Sequence, residues 1–462
     1  MAFNQLQKKM NDKIATVATR FHFEPLTGEI NGRHFPKNIS LMALSYVLNG
    51  NHLIMGDPGW GKTTVAKIVS SVMTGVPYDV FDAVEMRGNP QNYVEKTIAR
   101  PNYASLNNGM ESVIFLGALG TPVLNVDEVN RFSYETQDAL LQGIDTGSWN
   151  YLNATHNTGK RPGFLTANYR DDGNGHLIPP LLDRMLIVTE EQYYGSSGNY
   201  EAAKKAVAGL LCDPKISSEA MKMLHEKDVS AFADYINENK LRSVSPITNE
   251  QKEEMLLQIG KIQLAYTDKQ LSQAVNDSLL FFEAFNAEIN FSAQYGSKRS
   301  TDPISSDTHD SGHIGIFVQK SFSPRAYMAA LGYSKAMAWL LGSEAVTIDH
   351  IKLVLPHIIS HKMDFSDDFI NSHGNGKRTV MQELHLGTKL VELAHDHYSN
   401  AATGIKGLIS DIQKAFNASN KQAILALKPD SYDHPLAKQL ICEAQEAMKP
   451  ALGEANIGES GL

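Results

Sequence analysis

The residues best suited to chemistry begin with Gly56-Asp57-Pro58-Gly59-Trp60-Gly61-Lys62-Thr63, which fits G-x-x-x-x-G-K-S/T without a gap. Glycines at these positions let backbone N–H groups turn inward and cradle β- and γ-phosphates. Lys62 can reach the β/γ oxygens as a point charge, and the Thr63 hydroxyl, with Thr64 beside it, opens a helix where Mg²⁺ could be ligated. The preceding run, His52–Met55, has strand length, and Val65, Ile68, Val69, Val72 and Met73 follow at helical spacing until Gly75. Strand, glycine loop and helix N-terminus together make an anion site. A lookalike, Gly374-Asn375-Gly376-Lys377, has the wrong spacing and reads as an ordinary loop.

A phosphate loop needs a carboxylate for its metal and a second group to activate water. Both are supplied where the apolar run Pro122–Val126 ends in Asp127-Glu128, at the strand end where ligands bind in open α/β sheets. Asp127 suits the Mg²⁺ shell and Glu128 suits polarisation of the attacking water. Asn125 interrupts that otherwise apolar strand. Gly163–Ala167 is a further strand, ending in Asn168, which either orients water or the γ-phosphate or is a turn-forming Asn. Arg184, in Leu182-Asp183-Arg184, is either a finger that neutralises transition-state charge or a surface partner of Asp183. Ser323-Pro324 has the chemistry of a helix start, which puts Arg325 in a first turn whose dipole disfavours a cation. Arg325 is therefore either a residue that faces phosphate together with that helix end or an ordinary exposed arginine.

The elements that must hold these groups alternate up to about Glu191. Strands are expected at His52–Met55, Pro122–Val126, Gly163–Ala167 and Met185–Val188, with helices such as Lys62–Thr74 and Tyr134–Ile144 between them. That order implies an α/β domain with a mainly parallel sheet sandwiched by helices. A turn-rich break is expected at Gly195-Ser196-Ser197-Gly198, and the chain beyond it reads almost wholly helical. A polar insertion is expected near 293–315, a turn cluster at Asn371–Lys377, and a frayed tail at the end.

Of the 462 residues, 42% are hydrophobic and 20% charged, an ordinary globular balance, and the net charge of −9 argues against a dedicated nucleic-acid binder. The two cysteines, Cys212 and Cys442, have no metal-ligand spacing and read as reduced thiols. No apolar run approaches spanning length and the N-terminus lacks an apolar core of the leader type, so a cytoplasmic location without a membrane span is expected. His357 and His361 stand four apart, but with no third ligand they read as packing or surface histidines.

Taken together, these residues resemble the MoxR branch of the AAA+ ATPases. GDPGWGKT matches its Walker A motif, and Asp127-Glu128-Val129-Asn130-Arg131 with Gln137, Leu140 and Leu141 matches its acidic signature. Leu182-Asp183-Arg184, Ser323-Pro324-Arg325-Ala326 and the segment from Pro356-His357 to His361-Lys362 follow in the family's order. The resemblance implies ATP and Mg²⁺ as ligands, a hexameric ring with sites at subunit interfaces, and a protein client or a partner carrying a von Willebrand factor A domain. It implies an AAA+ core over 1–193, a helical lid over 199–365 and a helical extension over 366–462. It also implies two inserted hairpins, within Asn92–Phe115 and Thr146–Pro162, bearing Tyr93, Tyr103, Trp149 and Tyr151. Aromatic residues in hairpins are more often packing residues than pore contacts.

Departures keep alternatives open. Asn168-Tyr169-Arg170-Asp171 replaces the usual Asn-Pro, and Asn168-x-x-Asp171 is faintly similar to GTP-using relatives. The segment through Leu181–Met185 is also similar to the magnesium-chelatase ATPase subunit, which makes a metal-chelatase motor one alternative and a nucleotide-dependent assembly switch another. Arg131 is a second candidate for the finger beside Arg184.

Overall fold

The computed structural model describes residues 4–91, 93–106, 109, 112–169, 176–192, 195–205, 208–264, 277–290, 313–318, 320, 322–374 and 382–448. Two compact units emerge. The first comprises Met1–Gln263, Pro324–Lys362 and Asn375–His385; the second comprises Leu264–Ser323, Met363–Gly374 and Leu386–Leu462.

The strands run β1 Thr27–Ile30, β2 Arg33–Pro36, β3 Asn51–Met55, β4 Met86–Arg87, β5 Ala99–Pro101, β6 Val113–Phe115, β7 Leu124–Asp127, β8 Ser148–Tyr151, β9 Ala154–Asn157, β10 Gly163–Ala167 and β11 Ile187–Glu190. Among the described residues, one five-stranded sheet has the order β11-β3-β10-β7-β4 and every pairing in it is parallel. Helices flank it, and a helical region follows toward the C-terminus. Strands covered on both faces read as near-continuous apolar runs. Accordingly Leu53, Ile54, Leu124, Val126, Phe164, Leu165, Ile187 and Val188 are all buried.

The expected strands form with small shifts. The last begins at Ile187 rather than Met185, because Met185 caps the helix Pro179–Arg184. Edge strand β4 has two residues, too few for periodicity to reveal. Asn125 is buried yet satisfied: its Nδ2 lies 3.2 Å from the Ser70 Oγ of the helix Lys62–Thr74, so the polar interruption ties β7 to the phosphate-loop helix. At Gly195–Gly198 the expected break gives way to the start of a helix, Gly195–Lys205. Serine and glycine suit helix starts as well as turns, and here the left-handed Gly195, at φ 70°, opens the helix.

Both expected hairpin spans contain an antiparallel pair, β5 with β6 and β8 with β9. Trp149 is buried against Gly143, where an added Cβ would lie 2.3 Å from the indole. The Tyr151 hydroxyl donates to Glu95 Oε1 at 3.2 Å, while Tyr93 and Tyr103 are exposed.

The paired histidines hold a helix to the sheet. His357 Nδ1 lies 2.7 Å from the Val188 carbonyl of β11, and His361 Nε2 lies 2.8 Å from that of Met185. Burial drives both rings toward the neutral form. His52, in β3, sits between Ser45 Oγ and Thr189 Oγ1, each at 2.8 Å, and Ser45 also meets the Tyr333 hydroxyl at 2.8 Å. Burial pushes the His52 ring from 6.5 down to about 3. Its folded pKa lies below its unfolded one, so the neutral ring's contribution is complete above pH 6.5 and is lost as pH falls toward 3. At pH 5 the loss amounts to roughly 2 kcal/mol. Urea titrations at pH 7.5 and pH 5 should therefore find His52→Gln less costly at the lower pH by about that amount; equal costs at both pH values would refute the assignment.

In the second unit, Glu288 of the helix Asp277–Asn290 is fully buried. Its carboxylate accepts from His397 Nδ1 at 2.9 Å, His434 Nε2 at 3.0 Å and the Ile314 amide at 3.2 Å. Burial alone would raise its pKa, but the two imidazoles outweigh that and hold it at about 2. Phe369 stacks on Phe317 at 4.9 Å and on Phe365 at 5.8 Å.

No helix among the described residues is long and apolar enough to cross a membrane. Most of the polar insertion near 293–315, Asn375–Lys377 of the turn cluster, Asp171 and the terminal tail lie outside the described residues.

Candidate active site

The phosphate-loop helix, Lys62–Thr74, starts directly after Gly61, whose φ of 83° is left-handed and open to glycine without strain. This conformation turns the chain from the loop into the helix and sets Lys62 in its first turn. The Lys62 ammonium has three donors, and all three are used: Gly56 O, Asp57 O and Asn168 Oδ1 each lie at 2.8 Å. Burial lowers the lysine's pKa, opposed by the negative charges of Asp127, Glu128, Asp57 and Glu191.

The loop, the helix start and two strand ends enclose a cavity of about 300 Å³. Pro58, Gly59, Gly61, Lys62, Thr63, Thr64, Asp127, Glu128 and Asn168 line it. Asp127 ends β7, and its Oδ1 accepts a hydrogen bond from the Thr63 hydroxyl. Glu128 follows in a left-handed conformation, φ 48° and ψ 49°. Its carboxylate accepts from Asn168 Nδ2 at 3.1 Å and pairs with Arg131 Nη1 at 3.2 Å. Trp60, the loop's aromatic residue, meets the Tyr169 ring edge-on at 6.2 Å.

Two residues that motif reading passes over complete the site. Thr166 of β10 donates to Asp127 Oδ1 at 2.7 Å and accepts from the Glu128 amide at 2.9 Å. Its one sequence signal is a hydroxyl inside an apolar strand, two residues before Asn168 and hence on the same strand face. Gly88, just past edge strand β4, donates to the Asp127 carbonyl at 2.7 Å. A Cβ there would lie 1.9 Å from the Glu128 carbonyl oxygen, so only glycine allows that approach.

The two other candidate arginines gather elsewhere in the unit, and neither lines the cavity. Arg325 pairs with Asp183 and, at 3.4 Å, with Asp145 Oδ2; Arg184 Nε reaches the same Asp145 oxygen at 3.4 Å. Lys362 adds a third cation 3.6 Å from Asp183 Oδ1. The first-turn arginine that the helix dipole disfavours is thus compensated by two carboxylates.

Among the described residues, no group of three or more His, Cys, Asp or Glu side chains is placed to hold a metal ion. A hydroxyl and a single carboxylate, Thr63 and Asp127, are the hard oxygen donors that fit Mg²⁺, which takes few protein ligands.

Comparisons with known proteins find three similarities. The family model described as an AAA lid domain matches residues 316–383. A stretch of 136 residues is 26% identical to an uncharacterized AAA domain-containing protein of Mycobacterium tuberculosis, covering 29% of this chain. That match spans 24% of the relative's own length. A crystal structure described as a "putative ATPase" from Cytophaga hutchinsonii aligns with a TM-score of 0.48 and 14% identity, over 82% of this chain and 94% of that one. The lid match, the AAA-domain relative and the phosphate-loop site together support an AAA+ ATPase.

Proposed function

We propose that this chain is a MoxR-like AAA+ ATPase that hydrolyses ATP with Mg²⁺ at the subunit interfaces of a ring and uses the cycle to remodel or mature a protein partner. The observation that carries the reading is the convergence of Lys62, Asp127, Glu128 and Asn168, drawn from two neighbouring strand ends and one helix start, on a single cavity. Such a set has little use in a protein that only packs or only binds.

In this reading the loop amides and Lys62 receive the β- and γ-phosphates, and Lys62 exchanges its contacts with Gly56 and Asp57 for phosphate oxygens. Thr63 and Asp127 hold the metal, which when bound offsets charge building on the phosphate oxygens. Glu128 accepts the proton of the attacking water, and Asn168, already 3.1 Å from that carboxylate, orients the same water. To serve as base, Glu128 turns from its pairing with Arg131, an exposed contact worth at most about 1 kcal/mol. Arg184 acts on the γ-phosphate bound by the neighbouring subunit. Arg325, opening the helix Pro324–Leu340, reports nucleotide state to that helix.

The deciding experiment follows ATP hydrolysis against protein concentration, with mass photometry on the same samples. Activity per subunit should rise with concentration in step with ring formation. Activity that is constant per subunit across the range would rule out interface sites, and nucleotide binding with no turnover at any concentration would favour the assembly switch.

A further inference from the structure

We infer that Thr166 is a positioning residue that couples the metal-binding carboxylate to the water-activating one, so that the effect of Mg²⁺ on nucleotide affinity runs through its hydroxyl. This inference rests on the Mg²⁺–nucleotide reading of the cavity and adds a residue that the motifs do not contain.

The directions of its two hydrogen bonds are fixed by chemistry. An ionised Asp127 carboxylate can only accept, and the Glu128 amide can only donate. The single Thr166 proton therefore goes to Asp127 Oδ1, at 2.7 Å, and a lone pair of the Thr166 Oγ1 itself receives the Glu128 N–H, at 2.9 Å. One hydroxyl spans both residues of the acidic pair.

Its placement follows from sheet register. Strand β10 pairs with β7 in parallel, Phe164 opposite Asn125 and Leu165 opposite Val126, so Thr166 comes level with Asp127 on the shared face. The threonine is 1% exposed, and its β-branched side chain has little rotamer freedom. A buried hydroxyl of this kind has no solvent substitute for either partner.

The turn it holds is one that departs from ordinary backbone geometry. Glu128 is left-handed, which non-glycine residues seldom adopt unless their surroundings enforce it. Gly88 supports the backbone of that turn from the edge strand through the Asp127 carbonyl, and Thr166 supports it from the opposite neighbour. Asp127 Oδ1 takes hydroxyl donors from both Thr63 and Thr166. Thr63 belongs to the proposed metal shell, which leaves Thr166 as the side-chain contact that keeps Asp127 oriented when Thr63 turns to the metal. Thr166 touches neither the nucleotide nor the metal in this scheme; it acts through Asp127 and Glu128.

The test measures the affinity of a fluorescent, non-hydrolysable ATP analogue with Mg²⁺ and with EDTA, for the full-length wild type, Thr166→Val and Thr166→Ser. The wild type should bind more tightly with Mg²⁺. Thr166→Val, which keeps shape and loses the hydroxyl, should lose about tenfold of that tightening while its affinity in EDTA stays within about threefold, the scale of one charge-assisted hydrogen bond. Thr166→Ser, which restores the hydroxyl, should recover most of the tightening. A merely structural role would weaken binding equally in both buffers. If Thr166→Val does not fold by circular dichroism, Thr166→Ala takes the same reading. The inference is overturned if the valine variant keeps the full Mg²⁺ effect, or if serine and valine lose it equally. A wild type that binds alike in both buffers would instead remove the metal reading beneath it, a distinct outcome visible before any variant is made.

Discussion

Replacing Glu128 with glutamine should leave nucleotide binding intact and lower steady-state hydrolysis by roughly 10²–10⁴-fold, the range for a positioned general base. Glutamine has the volume and reach of glutamate, so the cavity lined by Lys62, Thr63, Asp127 and Asn168 keeps its shape. Its amide oxygen can still accept from Asn168 Nδ2, which now lies 3.1 Å from the Glu128 carboxylate. The backbone hydrogen bond from residue 128 to Thr166, at 2.9 Å, is untouched. What disappears is the proton acceptor. The Arg131 pairing also goes, but that contact is partly exposed and contributes little. Binding of the fluorescent analogue together with phosphate release checks both halves of the expectation. Near-normal turnover in the variant would mean that Glu128 is not the base, and the water-activating role would have to be reassigned.

Arg184→Ala should assemble normally and hydrolyse ATP at least roughly 10³-fold more slowly, as expected for an arginine finger. Within its own subunit Arg184 does not line the nucleotide cavity; it lies 3.4 Å from Asp145, as does Arg325. A large catalytic effect would therefore have to reach a neighbour's site. Mixing Arg184→Ala with Lys62→Ala, each inactive alone, should restore part of the activity at interfaces that combine one intact cavity with one intact arginine. Arg131→Ala is the internal comparison. Arg131 is held 3.2 Å from its own subunit's Glu128, and its removal should change turnover by less than about threefold. If Arg131→Ala is the deficient variant and mixing with Arg184→Ala restores nothing, the two arginines exchange roles.

Arg184 and Arg325 share one difficulty for sequence reading with Thr166 and Gly88. Each is visible as a residue type, but its partners lie far away in the chain. Arg325 meets Asp183 across 142 positions and Asp145 across 180. Sequence reading paired Arg184 with its neighbour Asp183 as the alternative to a finger; the structure gives Asp183 to Arg325 and brings Arg184 to Asp145. Likewise Glu288 finds His397 and His434, 109 and 146 positions on, and no local pattern marks it as the buried centre of a helical unit.

By itself, the sequence determined the parts of this protein whose geometry is local. The phosphate loop is a strand, a glycine turn and a helix start within one short segment, and Asp127 and Glu128 are covalent neighbours at a strand end. Backbone preference and apolar periodicity act over that range, so the fold class and the strand, glycine turn and helix start of this segment could be read directly. The tertiary structure decided what depends on register between strands that sequence separates. It set Thr166 level with Asp127, brought Gly88 against the Glu128 backbone, and joined Lys62 to Asn168 across 106 positions. Parallel strands leave their register free until helices cross over and pack, and only then do these polar side chains acquire partners.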